Sequence, residues 1–216
     1  APTVEGFKVL DPAVLYAKIG EGGMGAVYRG RHFTLDLDVA VKCLQPALAH
    51  SNPDFIKRFE REARLAASIM HQNVVRVMQV QQRHGIHYLV MEFVRGETVR
   101  ERVLRKRDRG QKISEREALA ILLGAASGLS EAHAANIVHR DIKPDNVMSS
   151  SGGVPKILDF GVAKFVWPAD ADTVTEWDHI ATERGTALGT FAYMSPEQLK
   201  GQDVDYRSDQ FSFGVM

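Results

Sequence analysis

One cysteine in 216 residues, Cys43, rules out an internal disulfide framework and suits a reducing compartment. It follows Ala40-Val41-Lys42 in an apolar run, so a buried, inert thiol is expected. No apolar run reaches the roughly twenty residues that span a bilayer, and the longest, Ala118 to Leu129, predicts no membrane segment. Its Leu119, Leu122, Ala126 and Leu129 recur at helical spacing and predict a helix with that face in a core. The N-terminus lacks the basic start and apolar centre of a secretion signal, which points to a cytoplasmic chain. An excess of charge is missing too. Lys plus Arg and Asp plus Glu number 27 each, so no global field argues for nucleic acid or an anionic membrane as partner. The eight histidines show no zinc spacing, and His84 and His87, flanking a tight turn, read as surface residues. Repeats and low-complexity tracts are also lacking.

What is present divides into two regions. Leu15 to Ile19, Ala26 to Arg31 and Val39 to Leu44 are short β-rich runs separated by glycine or polar punctuation. Pro53 to Met70 carries Phe55, Phe59, Ala63 and Ala66/Ala67 at helical spacing, and Val74 to Gln81 with His87 to Phe93 reads as a strand pair. From about Thr98 a helical signal runs to Ala134, followed by short strands around Val147 and Ile157 and a long polar segment. A β-rich lobe joined near Glu92 to Gly96 to a helical lobe is an α+β design.

Three stretches carry chemistry. His139-Arg140-Asp141-Ile142-Lys143-Pro144-Asp145-Asn146 and Asp159-Phe160-Gly161 bring together side chains that can hold a metal and orient a hydroxyl. Gly20-Glu21-Gly22-Gly23-Met24-Gly25-Ala26-Val27 fits a loop whose glycines let the backbone approach phosphates. A dinucleotide-binding turn is spelled similarly, but there a helix follows the glycines; here the β-type run Val27-Tyr28-Arg29 follows, and a plain glycine-rich turn is the other alternative. Lys42 ends the apolar run Val39-Ala40-Val41, so its ammonium needs a carboxylate or phosphate partner. Glu62 and Glu60 compete for that role from positions about 160° apart around the expected helix.

With these motifs in order, the chain resembles the eukaryotic-like protein Ser/Thr kinases, especially the bacterial ones. Met91-Glu92-Phe93-Val94 and the run from Gly189 through Thr190 to Ser195-Pro196-Glu197-Gln198 extend the resemblance over nearly the whole chain. It implies a bilobal fold, with an N-lobe over 1–94 and a helical, incomplete C-lobe over 95–216. It further implies ATP with Mg²⁺, or Mn²⁺, and phosphoryl transfer to Ser/Thr hydroxyls of protein substrates. Asp141 would accept or orient the hydroxyl proton, Asn146 and Asp159 would hold the metal, and Lys143 would neutralise the moving phosphoryl group. Thr190 would shape the acceptor site. Lys42, paired with Glu62 in preference to Glu60, would hold the α- and β-phosphates, which Gly20, Glu21, Gly22, Gly23, Met24 and Gly25 would cover. Met91, Glu92, Phe93 and Val94 would meet the adenine, with Val27, Ala40 and Met148 as apolar walls; simple core filling also accounts for Met91 and Met148. His139 would pack beneath Phe160 without acid–base work.

The stretch between Gly161 and Ser195 is long and rich in threonine. Thr182, then Thr186, Thr175 and Thr173, are candidate phosphosites whose phosphate Arg140 could pair with, and a homodimer would serve autophosphorylation in trans. Arg95 to Arg116 holds nine Arg or Lys residues, which fits either substrate docking or a solvated helix face. The resemblance makes Asp209 the holder of the catalytic-loop backbone and places Met216 early in the central helix of the C-lobe, so further helices are expected after it. The alternative function is a nucleotide-binding pseudokinase, or inactive fragment, acting as an interaction module. A small-molecule kinase fits poorly with the Gly189 to Glu197 segment.

Overall fold

The computed structural model describes residues 3–4, 7–22, 25–46, 53–160 and 191–216. Gly23, Met24, Gly161, Gly189, Thr190 and the four candidate phosphosites lie outside the described residues. The chain forms two compact units, Ala1–Arg95 and Gly96–Met216. Among the described residues no helix is long and apolar enough to cross a membrane.

The first unit holds β1 (Thr3–Val4), β2 (Phe7–Leu10), β3 (Ala13–Gly22), β4 (Gly25–His32), β5 (Leu37–Leu44), α1 (Pro53–Ser68), β6 (Val77–Arg83) and β7 (Ile86–Glu92). The strands form one antiparallel sheet in the order β1-β2-β3-β4-β5-β7-β6. Alternation along β5 sorts its residues between two faces. Val39 and Val41 join Leu10, Ala13, Leu15, Tyr88 and Val90 in the core cluster, while Ala40 and Lys42 point to the other face. Helix α1 packs against β6 and buries Phe55, Phe59, Ala63 and Ala66, the spaced positions the sequence predicts. Phe59, 1% exposed, contributes about 1.5–3 kcal/mol by burial. Pairing of β3 with β4 runs out to Gly22 opposite Gly25. A Cβ on Gly25 would stand 1.8 Å from the Cys43 carbonyl oxygen, and its φ of 156° is one that side chains rarely adopt, so only glycine fits.

One position departs from expectation. His87 is buried, 8% exposed, rather than on the surface, because alternation turns it to the face opposite Tyr88, where its Nδ1 lies 3.8 Å from Glu60 of α1.

The second unit holds β8 (Gly96–Thr98), α2 (Val99–Asp108), α3 (Glu115–Ala134), a 3₁₀ turn (Pro144–Asn146), β9 (Val147–Ser150), β10 (Pro155–Ile157), α4 (Pro196–Leu199) and α5 (Tyr206–Val215). Strands β10, β9 and β8 form a small antiparallel sheet. The helical signal from Thr98 to Ala134 is two helices. Thr98 and Glu101 form a reciprocal capping box at the start of α2. Gly110, with φ of 68°, follows its end, and Ser114 caps α3 by accepting from the Glu117 N–H.

The buried stripe of α3 also differs from the expected one. It comprises Ile121, Ala125, Gly128, Leu129 and Ala132, while Leu119 is 58% exposed. With about 100° per residue, the 121/125/128/132 set lies roughly a quarter turn from 122/126, so of the expected positions Leu129 alone is fully buried. Much of the basic charge between Arg95 and Arg116 is spent internally. Arg102 and Lys106 of α2 bond Glu117 of α3 at 3.0 and 2.6 Å, and Arg105 bonds Glu97 at 2.7 Å.

Candidate active site

In the second unit, residues 139–146 form a loop fixed less by its own backbone than by side chains reaching in from elsewhere. Asp209, in the first turn of α5, is fully buried and accepts from the His139 N–H at Oδ2 and the Arg140 N–H at Oδ1, both at 2.7 Å. Its Oδ2 also accepts from His133 Nε2 of α3 at 2.7 Å. A buried carboxylate with three donors has its charge satisfied, which makes it a strong anchor. Arg140 stands in the left-handed region, φ 67°, which costs about 1–2 kcal/mol for a residue with a side chain. Its backbone is held at both ends, since its carbonyl accepts from Gln198 Nε2 at 2.9 Å. The strain persists because these two bonds determine the conformation.

His139 is fully buried. Its Nε2 donates to the Leu158 carbonyl at 2.7 Å and its Nδ1 accepts from the Asp141 N–H at 3.2 Å. Those partners assign a neutral tautomer with both nitrogens occupied, leaving no free atom for proton transfer. Its ring meets Phe160 edge-on at 4.8 Å.

Asp141 is half-buried, and two cationic or amide groups converge on its Oδ2. Lys143 Nζ stands 2.9 Å away, and Asn146 Nδ2 donates at 2.9 Å while also donating to the Asp141 carbonyl at 2.8 Å. Asp145, in the same turn, pairs with Arg100 of α2 at 2.9 Å. The Leu158 N–H donates to the Asn146 carbonyl at 2.8 Å, so the residue preceding Asp159 is tied to Asn146. Asp159 itself has φ of 54° and is half-buried, and Met148 is half-buried on β9. Glu197 accepts from the Ser208 hydroxyl, which holds its carboxyl below the ordinary range.

In the first unit, strand register gathers another set. Val27 lies opposite Lys42, and Lys42 opposite Leu89; Ala40 lies opposite Met91. Directly opposed residues share a face, so Val27, Ala40, Lys42 and Met91 occupy the face away from the core cluster. Lys42, Ala40, Met91 and Val94 are buried, Val27, Glu92 and Phe93 half-buried. The Glu92 N–H is spent on the Arg76 carbonyl at 2.9 Å. Gly20 is half-buried and Glu21 and Gly22 exposed, and Glu62 is half-buried on α1, while Glu60 bonds Arg64 at 3.1 Å.

A polar cluster the sequence reading missed lies on the same face, at its Asp38 end. Asp38 accepts from Arg29 at 2.7 Å, Arg95 at 3.0 Å and Tyr16 at 3.1 Å, and Arg29 stacks 4.6 Å from the Phe93 ring centre. Hydrogen bonds from Arg29 and Arg95 hold the Asp38 carboxyl far below the ordinary range. The alternation of Arg29, Arg31 and Asp38 on neighbouring strands was the available signal. Gln198 and His133 were missed as well. Ser195 three residues before Gln198 spells a capping box, but nothing local to either side chain announces its reach to Arg140 or Asp209.

A model of the protein kinase domain matches residues 14–216. The chain is 40% identical over 213 residues to the serine/threonine-protein kinase Pkn2 of Myxococcus xanthus, covering 97% of this chain and 23% of that one. It is 34% identical over 215 residues to the tyrosine-protein kinase MasK of the same species, covering 94% and 32%. The chain therefore spans about a quarter to a third of these relatives. Among solved structures, the kinase domain of PknI from Mycobacterium tuberculosis aligns with a TM-score of 0.73 at 26% identity, over 98% of this chain and 72% of that one.

Proposed function

Because the chain belongs to the protein kinase family, we propose that it moves the terminal phosphoryl group of ATP onto Ser or Thr hydroxyls of protein substrates. The observation that carries this is the convergence of Lys143 and Asn146 on one oxygen of Asp141, each at 2.9 Å. Asp141 Oδ1 is then the oxygen that orients an incoming hydroxyl and accepts its proton. Lys143 meets the charge of the phosphoryl group in transfer. Asn146 spends its Nδ2 on Asp141, so its side-chain oxygen, Oδ1, is the donor left for a metal, with the Asp159 carboxylate as the second. Two hard oxygens suit Mg²⁺, with Mn²⁺ as the alternative. The bound ion supplies charge neutralisation at the phosphates.

The first unit is the nucleotide-binding lobe in this reading. Lys42, seconded by Glu62, holds phosphates beneath the Gly20 to Gly25 loop, and Met91 to Val94, Val27 and Ala40 take the base. Thr190 shapes the acceptor site, and autophosphorylation, with Thr182 as first candidate, proceeds in trans within a homodimer. The resemblance of MasK gives tyrosine as the competing acceptor. Labelled-ATP transfer to the protein itself and to a generic basic substrate, followed by phosphoamino-acid analysis, decides between them. Asp141→Asn is expected to lower transfer at least ~100-fold. Equal transfer by wild type and Asp141→Asn, or none by the wild type, overturns the reading.

A further inference from the structure

We propose that Gln198 is a positioning residue of the catalytic loop, its side-chain N–H holding the Arg140 carbonyl so that Asp141 follows at a fixed angle. The inference rests on reading Asp141 as the group that takes the hydroxyl proton.

Gln198 is the third residue of α4 and half of its capping box. Its Oε1 accepts from the Ser195 N–H at 3.0 Å, and the Ser195 hydroxyl accepts from the Gln198 N–H at 3.3 Å. Ser195 is fully buried, so the box has a fixed base. The other end of the same amide does something a cap does not require. Its Nε2 reaches 58 residues back along the chain to the Arg140 carbonyl at 2.9 Å. That carbonyl belongs to the peptide that enters Asp141. Asp209 already holds the N–H of Arg140 at 2.7 Å. Beyond the Arg140 N–H, the Arg140–Asp141 peptide is held on both sides, its N–H by His139 Nδ1 at 3.2 Å and its carbonyl by Gln198 at 2.9 Å. The Gln198 bond is the shorter of the two and comes from outside the loop, so through it α4 becomes a mechanical support for the loop.

The two halves of the amide can be separated by substitution. Glutamate at this position still accepts from Ser195, and is a favoured capping-box residue. It has no N–H for Arg140 and sets oxygen against oxygen. Lysine does the reverse: it can donate to the Arg140 carbonyl but cannot accept from Ser195. A purely structural role makes activity follow stability, so Gln198→Glu should then outperform Gln198→Lys in both. The positioning role crosses the order: Gln198→Glu is the more stable and Gln198→Lys the more active.

The measurements are thermal midpoint, kcat and KM for ATP, and hydrogen exchange of amides 139–141. Gln198→Glu is expected to lower kcat about tenfold, the consequence of an unpaired and repelled carbonyl, with KM for ATP changing less than about twofold. Amides 139–141 should exchange about tenfold faster in Gln198→Glu. Wild-type kcat and exchange in Gln198→Glu, or activity that tracks stability across both variants, overturn the inference. If the wild type transfers no phosphate the kinase reading falls instead, and the exchange comparison still decides the role of Gln198.

Discussion

The two units assemble their candidate residues by different physics. In the first, Val27, Ala40, Lys42 and Met91 share a face because consecutive strands pair in register, and each is placed by the backbone ladder on which it sits. In the second, Asp141, Lys143 and Asn146 sit on a loop with one left-handed residue, Arg140, and the loop is placed by Asp209 and Gln198, with His133 holding Asp209, so three helices take part. A ladder spreads its support over many bonds of similar worth. A loop held by a few side chains concentrates it, so a single atom can matter more there than a whole residue in the sheet.

Asp209→Ala tests that contrast most severely. The substitution leaves the His139 and Arg140 N–H groups and His133 without their common acceptor, a carboxylate that is 0% exposed. Loss of one member of such a buried charged set costs about 3–5 kcal/mol. Urea unfolding should register that loss, and phosphoryl transfer should fall with it. A change under about 1 kcal/mol would mean the loop supports itself.

Gly25→Ala is the matching break in the sheet. A Cβ 1.8 Å from the Cys43 carbonyl must push β4 off β5 at the end of their ladder. Strain at one end of a ladder with seven further paired positions should cost less than Asp209→Ala, on the order of 2 kcal/mol. Nucleotide affinity is expected to fall along with the urea midpoint, since Val27 and Lys42 sit two steps further along the same pairing. Unchanged affinity in a destabilised variant would detach the glycine loop from the proposed site.

How far each site can be read from sequence follows from the same difference. Alternation and glycine punctuation locate β3, β4 and β5 because strand period is a local property of the chain. Helix α1 is equally legible through Phe55, Phe59 and Ala63. The phase of α3 is not, because Leu119 and Leu122 are as apolar as Ile121, and only the packed neighbours choose between them. The break between α2 and α3 was available in Gly110 and in Ser114 with Glu117, a start signal hidden inside a basic, helix-favouring run. His87 looked exposed because it adjoins a turn, yet strand direction sends it inward. The chemistry of Asp141 and Asn146 is legible from spacing. The bond from Gln198 to Arg140 is not, since it spans 58 residues and depends on one amide proton.

Cys43 offers the mildest test, aimed at register itself. It is the immediate neighbour of Lys42 and therefore belongs to the opposite face, partly buried beside the core cluster that contains Val41 and Tyr88. Burial pushes its thiol up to about 11 from an ordinary 9.0, so the neutral form dominates throughout the physiological range. A rise of about two pH units leaves roughly 100-fold less thiolate at pH 8, and thiolate is the reactive species. Alkylation by iodoacetamide should accordingly run about 100-fold slower than for a free cysteine, and should quicken about tenfold per pH unit between 8 and 10. Bound ATP should leave that rate unchanged, because the nucleotide would lie on the Lys42 face. Protection of Cys43 by ATP would place both residues on one side, which antiparallel pairing of Lys42 with Val27 and of Cys43 with Ala26 does not allow.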